Sequence, residues 1–266
     1  MRRLSVLLLA AASLFALTAC SDFLDVNEDP NNASPGDVAA EPGLTFLTAT
    51  TTVASVRNIE TLEQSQFPQL FASAGAASVF DGPELYTISP FTTGNSWEQL
   101  FGNSAQNTQE IIDVVRGAPS DRFPFNNSNV VAQAEIVQNY TYFNLTQMFG
   151  PIPFTEANQF DESSNPAPDP QETVLRGIVD SLDAAVQRID PSDPGITERD
   201  VFYSGNMEQW IKFANTLKFR ALLLLDSGGK DVTGEINTLL DQELIRSNAD
   251  NALFPYSSNS GNENQF

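Results

Sequence analysis

Apolar residues recur at helical spacing along most of the chain, in stretches that Gly or Pro often ends. The clearest stretches are 97–116, 128–148, 170–190 and 206–226. Residues three and four apart share one face of an α-helix, so each stretch has an apolar face to bury. Two such helices joined by a loop form a helical hairpin. The pattern therefore predicts one hairpin from the first two stretches and another from the last two.

The repetition of these hairpins predicts the fold class. We expect a mainly all-α protein built from tetratricopeptide-like helical-hairpin repeats, with long irregular loops. Two more helices are predicted near the N-terminus, Asp37 to about Val56 and Glu60 to about Ala77, although Pro68 interrupts the second. A shorter helix is expected from Asp231 to Leu244. Trp97 and Trp210 each begin an apolar helical stripe, which favours the protein core over a binding surface for both.

An irregular stretch, 78–96, separates the predicted helices near the N-terminus from the first hairpin. Gly82, Pro83, Pro90 and Gly94 break its periodicity, and Asn95 or Ser96 is expected to cap the helix that begins at Trp97. Aromatic side chains on a loop are candidates for ligand contact, with neighbouring acids and amides as hydrogen-bonding groups. The candidate ligand-binding residues are Phe80, Asp81, Glu84, Tyr86, Phe91 and Asn95.

The N-terminus has the features of a secretory signal. Arg2 and Arg3 precede an apolar run, 4–17, which is too short to span a bilayer as a permanent helix. The residues that follow, "LTAC" at 17–20, resemble the lipobox of bacterial lipoproteins, in which the cysteine is acylated. Cys20 is the only cysteine of the chain, and we expect it to be a lipid anchor.

Composition excludes several classes of function. The chain has 34 acidic and 13 basic residues, a net charge of −21, which disfavours nucleic acids and anionic membrane surfaces as partners. This acidity suits either a high-salt habitat or a solvated acidic face, and the sequence does not separate the two. Histidine is absent, which excludes histidine-based acid–base chemistry and the common His-containing metal sites. Phosphate-binding glycine motifs are also absent. No cofactor or metal is expected.

Five sequence stretches resemble the SusD/RagB family of outer-membrane nutrient-binding lipoproteins, in the order typical of its SusD-like subgroup. They are "CSDFLDVNEDPN" (20–31), "SWEQLFGNSAQNTQEII" (96–112), "YFNLTQMFGPIPFTEA" (142–157), "DVFYSGNMEQWIKFANTLKFRALLL" (200–224) and "SNADNALFPY" (247–256). The resemblance implies a helical lipoprotein, exposed at the cell surface. Such a protein captures a glycan or peptide for import through a TonB-dependent transporter of SusC type.

The resemblance also implies a domain plan. Residues 1–19 are expected to form the signal peptide, 20–36 a lipidated tether, and 37–266 the N-terminal part of a SusD-like helical domain. Family members usually continue well beyond the motif at 247–256, so we expect a truncated chain that lacks part of the ligand site. The expected protein is not an enzyme. Two alternatives remain at this point: a tetratricopeptide adaptor that binds a protein partner without a small ligand, and an anchored hydrolase.

The proposed role of Cys20 is tested by Cys20→Ala. Without the thiol there is no acylation site, so the variant should leave the membrane fraction, because the acyl chains supply the binding energy to lipid. Detergent phase partitioning of the variant and of a Ser21→Ala control measures this. Membrane partitioning that is the same in both would contradict the lipoprotein prediction.

Overall fold

A computed structural model describes residues 41–66, 68, 70, 90–158 and 165–256 of the chain. Among these residues the secondary structure is helical, with one isolated antiparallel bridge between Ile152 and Asp169. The all-α prediction is confirmed. The helices are α1 (Pro42–Gln66), α2 (Pro90–Trp97), α3 (Gln106–Arg116), α4 (Asn127–Phe149), α5 (Gln171–Arg188), α6 (Met207–Ser227) and α7 (Thr233–Leu240), with a π-helical segment (Glu98–Ala105) joining α2 to α3.

The longer helices begin and end at residues with a clear physical role. Asn126 caps α4 and Asn206 caps α6, each accepting a hydrogen bond from the backbone N–H three residues on, at 3.2 Å. Helix α4 ends at Gly150, whose φ of +73° favours glycine, and Pro151 follows directly. The predicted boundaries of α4, α5 and α6 are therefore confirmed to within two residues.

The N-terminal helices differ from the prediction. A single helix, α1, replaces the two predicted helices, because the residues between Val56 and Glu60 include neither Gly nor Pro to end it. Pro68 lies just beyond its C-terminus, consistent with the loss of helical hydrogen bonding at proline. The last part of the second predicted helix, 71–77, lies outside the described residues.

The first hairpin also begins earlier than predicted. Helical structure starts at Pro90 and continues through Ser96, which is buried within the helix and does not cap it. Proline is favourable at the first helical position, and an exposed glycine such as Gly94 costs only about 1 kcal/mol in a helix. Packing of the residues that follow, beginning with Trp97, outweighs this cost.

Consecutive helices pack as antiparallel neighbours. Arg116 of α3 contacts Glu135 of α4, and Gln138 of α4 reaches back to Gln109 of α3. In the next pair, Gln171 at the start of α5 donates to the Thr146 carbonyl near the end of α4. Helices α5 and α6 pack in the same way, since Lys218 of α6 contacts Asp183 late in α5 and Lys230, just after α6, contacts Glu172 at the start of α5. Both predicted hairpins therefore form. Whether they are tetratricopeptide repeats stays a prediction.

Helix α4 is the centre of the fold and is buried nearly all round, where the sequence predicted one apolar face. Its buried residues include polar ones, among them Asn129, Gln133 and Asn144. Neighbours on α3, α5 and the α5–α6 connection explain this, since they cover different sides of α4. The largest fully buried side chains among the described residues are Phe46, Leu100, Ile111, Ile136, Phe143, Leu145, Ile152, Ile178, Leu182, Met207 and Trp210.

Trp210 lies in the core, as predicted. Its side chain is 0 % exposed, its ring contacts those of Phe46, Tyr203 and Phe213 edge-on, and its Nε1 donates to Asp200 Oδ2 at 2.7 Å. Trp97 is half-buried, and its ring stacks on Phe101 with centroids 5.3 Å apart. The larger burial at Trp210 makes it the stronger contributor to stability.

Trp210→Ala should lower the free energy of unfolding by about 3 to 5 kcal/mol, since it removes a large buried ring and leaves a cavity. Urea denaturation measures this loss. Trp97→Ala is the matched control and should cost less, because the Trp97 ring is only partly buried. An equal loss of unfolding free energy in both variants would show that Trp210 contributes no more to stability than the half-buried Trp97.

Candidate functional site

A cavity of about 510 Å³ lies where the N-terminus of α1 meets two inter-helix loops. Its walls are formed by 41–43, by 123–125 from the α3–α4 loop, and by 194–199 from the α5–α6 loop. We call it the phenylalanine cavity. Its volume falls within the range of about 300 to 1,000 Å³ that is usual for small-ligand sites.

The α3–α4 loop gives this cavity an aromatic wall. The rings of Phe123 and Phe125 stack at 5.0 Å with an interplanar angle of 12°, and both remain partly exposed. The guanidinium of Arg122 lies 5.4 Å from the Phe123 ring centroid, within range of a cation–π contact. Stacked, partly exposed rings offer a flat apolar surface to a ligand.

Charged groups lie at the rim. Arg199 Nε donates to Glu41 Oε1 at 3.4 Å, and the two side chains are 47 % and 56 % exposed. An exposed ion pair of this kind contributes about 0 to 1 kcal/mol. Arg199 and Glu41 can therefore exchange this contact for hydrogen bonds to a ligand at little cost.

The wall opposite the phenylalanines is held in place by Gln133 of α4, which is fully buried. Gln133 Oε1 accepts from the Ile196 N–H at 2.8 Å, while Nε2 donates to the Ile196 carbonyl and to Asp200 Oδ2, both at 3.3 Å. Gly195 makes this approach feasible, since a Cβ there would lie 2.1 Å from Gln133 Oε1.

Asn129, one helical turn before Gln133, holds the start of the same loop. Its Oδ1 accepts from the Asp190 N–H at 2.8 Å, and its Nδ2 donates to the carbonyls of Asp190 and Asp193. Two buried amide side chains on one face of α4 thus satisfy backbone groups of the loop, which would otherwise be costly to bury.

Asp200 fixes the end of the loop. Its side chain accepts hydrogen bonds from the backbone N–H groups of Phe202, Tyr203 and Gly205, at 2.9 to 3.1 Å, and from the Trp210 ring. Burial raises the pKa of Asp200 above its ordinary value, and these hydrogen bonds act in the opposite direction. The cavity wall is therefore set before any ligand arrives, which lowers the entropic cost of binding.

The described residues contain no cluster of three or more His, Cys, Asp or Glu arranged to hold a metal ion. Among these residues, too, no helix is both long and apolar enough to cross a membrane. Aromatic stacking and hydrogen bonding are what the phenylalanine cavity offers a ligand.

Of the residues that the sequence favoured for ligand contact, only Asn95 has a described side chain, and it does not line this cavity. Phe80, Asp81, Glu84 and Tyr86 lie outside the described residues, so their role stays a prediction. Phe91 and Asn95 were expected on a loop, which is wrong, because both belong to α2; only the backbone of Phe91 is described, and Asn95 is exposed.

Asn95 and the phenylalanine cavity lie toward opposite ends of α1. This helix is about 37 Å long, from its 25 residues. Ser104, in the segment after α2, bonds to the Ala49 carbonyl, whereas Phe123, beyond α3, lies beside Pro42. Helix α1 and the chain from Asn95 to Phe123 therefore run in opposite directions. Asn95 thus lies toward the C-terminal end of α1, and the phenylalanine cavity lies at its N-terminal end.

The sequence interpretation missed the cavity, although two signals for it were present. "RFPF" (122–125) places two phenylalanines around a proline in the connection between two helices. Asn129 and Gln133 bring amides, four residues apart, onto a helix that is otherwise rich in apolar residues. Neither signal shows that residues 194–199 lie across the cavity from Phe123 and Phe125.

A protein-family model, SusD-like_2, described as "Starch-binding associating with outer membrane", matches residues 33–266. No curated protein sequence matches the chain at a significant level.

Solved structures share the fold. A chitin-binding protein superposes with a TM-score of 0.68 at 20 % identity, covering 81 % of this chain and 46 % of that one. A SusD homolog from Parabacteroides distasonis gives 0.65 at 22 % identity, with 84 % and 42 % covered. A SusD/RagB family protein from Bacteroides thetaiotaomicron gives 0.64 at 25 % identity, with 81 % and 46 % covered. This chain therefore spans less than half the length of each.

Gly195→Ala should destabilise the protein by about 1 to 3 kcal/mol, because the added methyl group collides with the buried Gln133 amide. The matched control is Gly234→Ala in α7, where a Cβ meets no atom within 4 Å; it should leave stability unchanged or slightly raised. Thermal unfolding of both variants checks this. Equal melting temperatures would show that Gln133 does not hold the loop rigidly.

Proposed function

The chain belongs to the SusD-like family, which is described as starch-binding and associating with the outer membrane, and we propose that it captures a glycan at the cell surface. In this proposal the bound glycan passes to a TonB-dependent outer-membrane transporter of SusC type. The protein performs no chemistry on its ligand.

The observation that carries the glycan proposal is the pairing of an aromatic wall with a polar rim in the phenylalanine cavity. Sugar rings have apolar C–H faces that stack on aromatic rings and hydroxyl groups at their edges. Phe123 and Phe125 supply the stacking surface, and Arg199 and Glu41 supply a donor and an acceptor. Neutral sugars also suit a chain with a net charge of −21, because they are not repelled by its acidic surface.

Anchoring at the membrane follows from Cys20 in the same proposal. Residues 1–19 are removed as a signal peptide, Cys20 is acylated, and 20–36 tether the helical domain, 37–266, to the outer membrane. All of 1–40 lies outside the described residues, so this part of the proposal stands on the sequence pattern and on the description of the family. The acyl chains, together, would hold the protein at the membrane for long periods.

Phe125→Ala should weaken binding of an oligosaccharide about fivefold to tenfold, which is the usual effect of truncating an aromatic contact worth 1 kcal/mol or more. Calorimetric titration with starch-derived and chitin-derived oligosaccharides measures this. Phe125→Leu keeps apolar volume but removes the flat ring, so it should also bind weakly. Phe219→Ala is the control, since that half-buried ring lies on α6, outside the cavity.

Equal affinity in the parent and in Phe125→Ala would exclude the phenylalanine cavity as the glycan site. The loop prediction is tested in the same titrations with Tyr86→Ala. A loss confined to the Tyr86 variant would place the site at 78–96 instead of at the phenylalanine cavity. Release of shorter products from any oligosaccharide would contradict the proposal that the protein is not an enzyme.

A further inference from the structure

A second concave surface, unrelated to the phenylalanine cavity, lies between α5, α6 and α7. It is an open groove of about 450 Å³, which we call the Lys218 groove. Its floor is aliphatic and is formed by Val179, Leu222 and Leu239. Its rim carries three carboxylates, from Asp180, Asp183 and Glu235. The described residues that line the groove include no aromatic side chain.

Lys218 is the feature that distinguishes this groove from an ordinary gap between helices. Its side chain is only 3 % exposed, yet it lines the groove, and its ammonium donates to Asp183 Oδ1 at 2.5 Å. An ammonium has three donors, and the other two have no partner among the described residues. Burying polar groups without partners is costly, so an acceptor entering the groove would relieve this cost.

The charges around Lys218 define what kind of ligand fits. Three carboxylates face one ammonium, so the groove carries an excess of two negative charges. A ligand therefore needs a cationic group for the rim as well as an acceptor for Lys218. The floor matches a chain of methylene groups rather than a sugar ring, because a stacking platform is absent from the lining.

We propose that the Lys218 groove binds a peptide segment that carries a lysine or arginine side chain. The aliphatic stem of that side chain lies on Val179, Leu222 and Leu239, and its charged head reaches the carboxylates of Asp180 and Glu235. A main-chain carbonyl of the segment accepts from Lys218 Nζ. This site is independent of glycan capture and gives the protein a docking surface for a basic segment of a partner protein.

The test uses a tetralysine peptide blocked at both ends, titrated calorimetrically at low salt. A blocked tetraglutamine peptide is the uncharged control and should bind much more weakly. Asp180→Asn combined with Glu235→Gln should lower tetralysine affinity about tenfold, since two attractive charges are removed. Glu208→Gln combined with Asp226→Asn is the charge-matched control, because it also removes two charges, from exposed acids of α6 outside the groove; it should change affinity less than twofold.

The Lys218→Met variant distinguishes two modes of binding: specific binding that uses the Lys218 ammonium, and nonspecific attraction of a cationic peptide to an acidic surface. Methionine keeps the length of the stem, and Asp183 is 49 % exposed, so water can solvate it after the change. If the Lys218 ammonium bonds a peptide carbonyl, the variant should bind tetralysine at least about threefold more weakly. If only charge attraction acts, loss of a positive charge should strengthen binding.

Stronger or unchanged tetralysine binding by Lys218→Met would overturn the proposal, as would failure of the parent to bind tetralysine. Weaker oligosaccharide binding in the groove variants would overturn it in favour of a sugar site. Phe125→Ala should bind tetralysine like the parent, so this proposal and the glycan proposal fail independently.

Discussion

The burial of Asp200 beside Trp210 is the constraint on which the structure most depends. A carboxylate that is 3 % exposed needs several donors, and the donors here come from a tight turn of backbone and from the largest ring of the core. The turn requires Gly205, whose φ is +80° and whose Cβ would meet Thr197 at 2.6 Å. The side chain of Asp200 thus fixes three features: the core packing, the turn before α6 and one wall of the phenylalanine cavity.

The sequence predicted those parts of the fold that local chemistry determines. Asn126 and Asn206 cap α4 and α6, Gly150 ends α4, and α5 has a clear apolar periodicity, so these three helices were placed almost correctly. The start of α2 was not, because Gly94 and Asn95 disfavour helix locally, while the π-helical segment that follows α2 packs against α1 and α4. The phenylalanine cavity could not be predicted for a related reason. Its two walls are about 70 residues apart in sequence, and their meeting depends on buried amides of α4.

In this acidic chain, charged side chains also connect elements that are distant in sequence, as the buried amides of α4 do. Several of its few cations link neighbouring elements. Arg116 and Arg188 both contact Glu135, which joins α3 and α5 to α4, and Lys230, in the α6–α7 connection, contacts Glu172 of α5. Cations used in this way hold the fold together and leave the acidic residues to dominate the surface. Such a surface repels anions, so neutral or cationic ligands have the easier approach.

The two amides of α4, Asn129 and Gln133, have a consequence for how the molecule opens. The α5–α6 connection has no regular secondary structure, but its hydrogen bonds end on a helix that is buried nearly all round. Local opening of the loop would expose those amides only by leaving them unpaired inside the protein. We therefore expect the amide protons of Asp190 and Ile196 to exchange with solvent on the timescale of global unfolding. The α5–α6 connection therefore resists local opening as strongly as the core does. A ligand bound against it contacts a surface that is as stable as a helix.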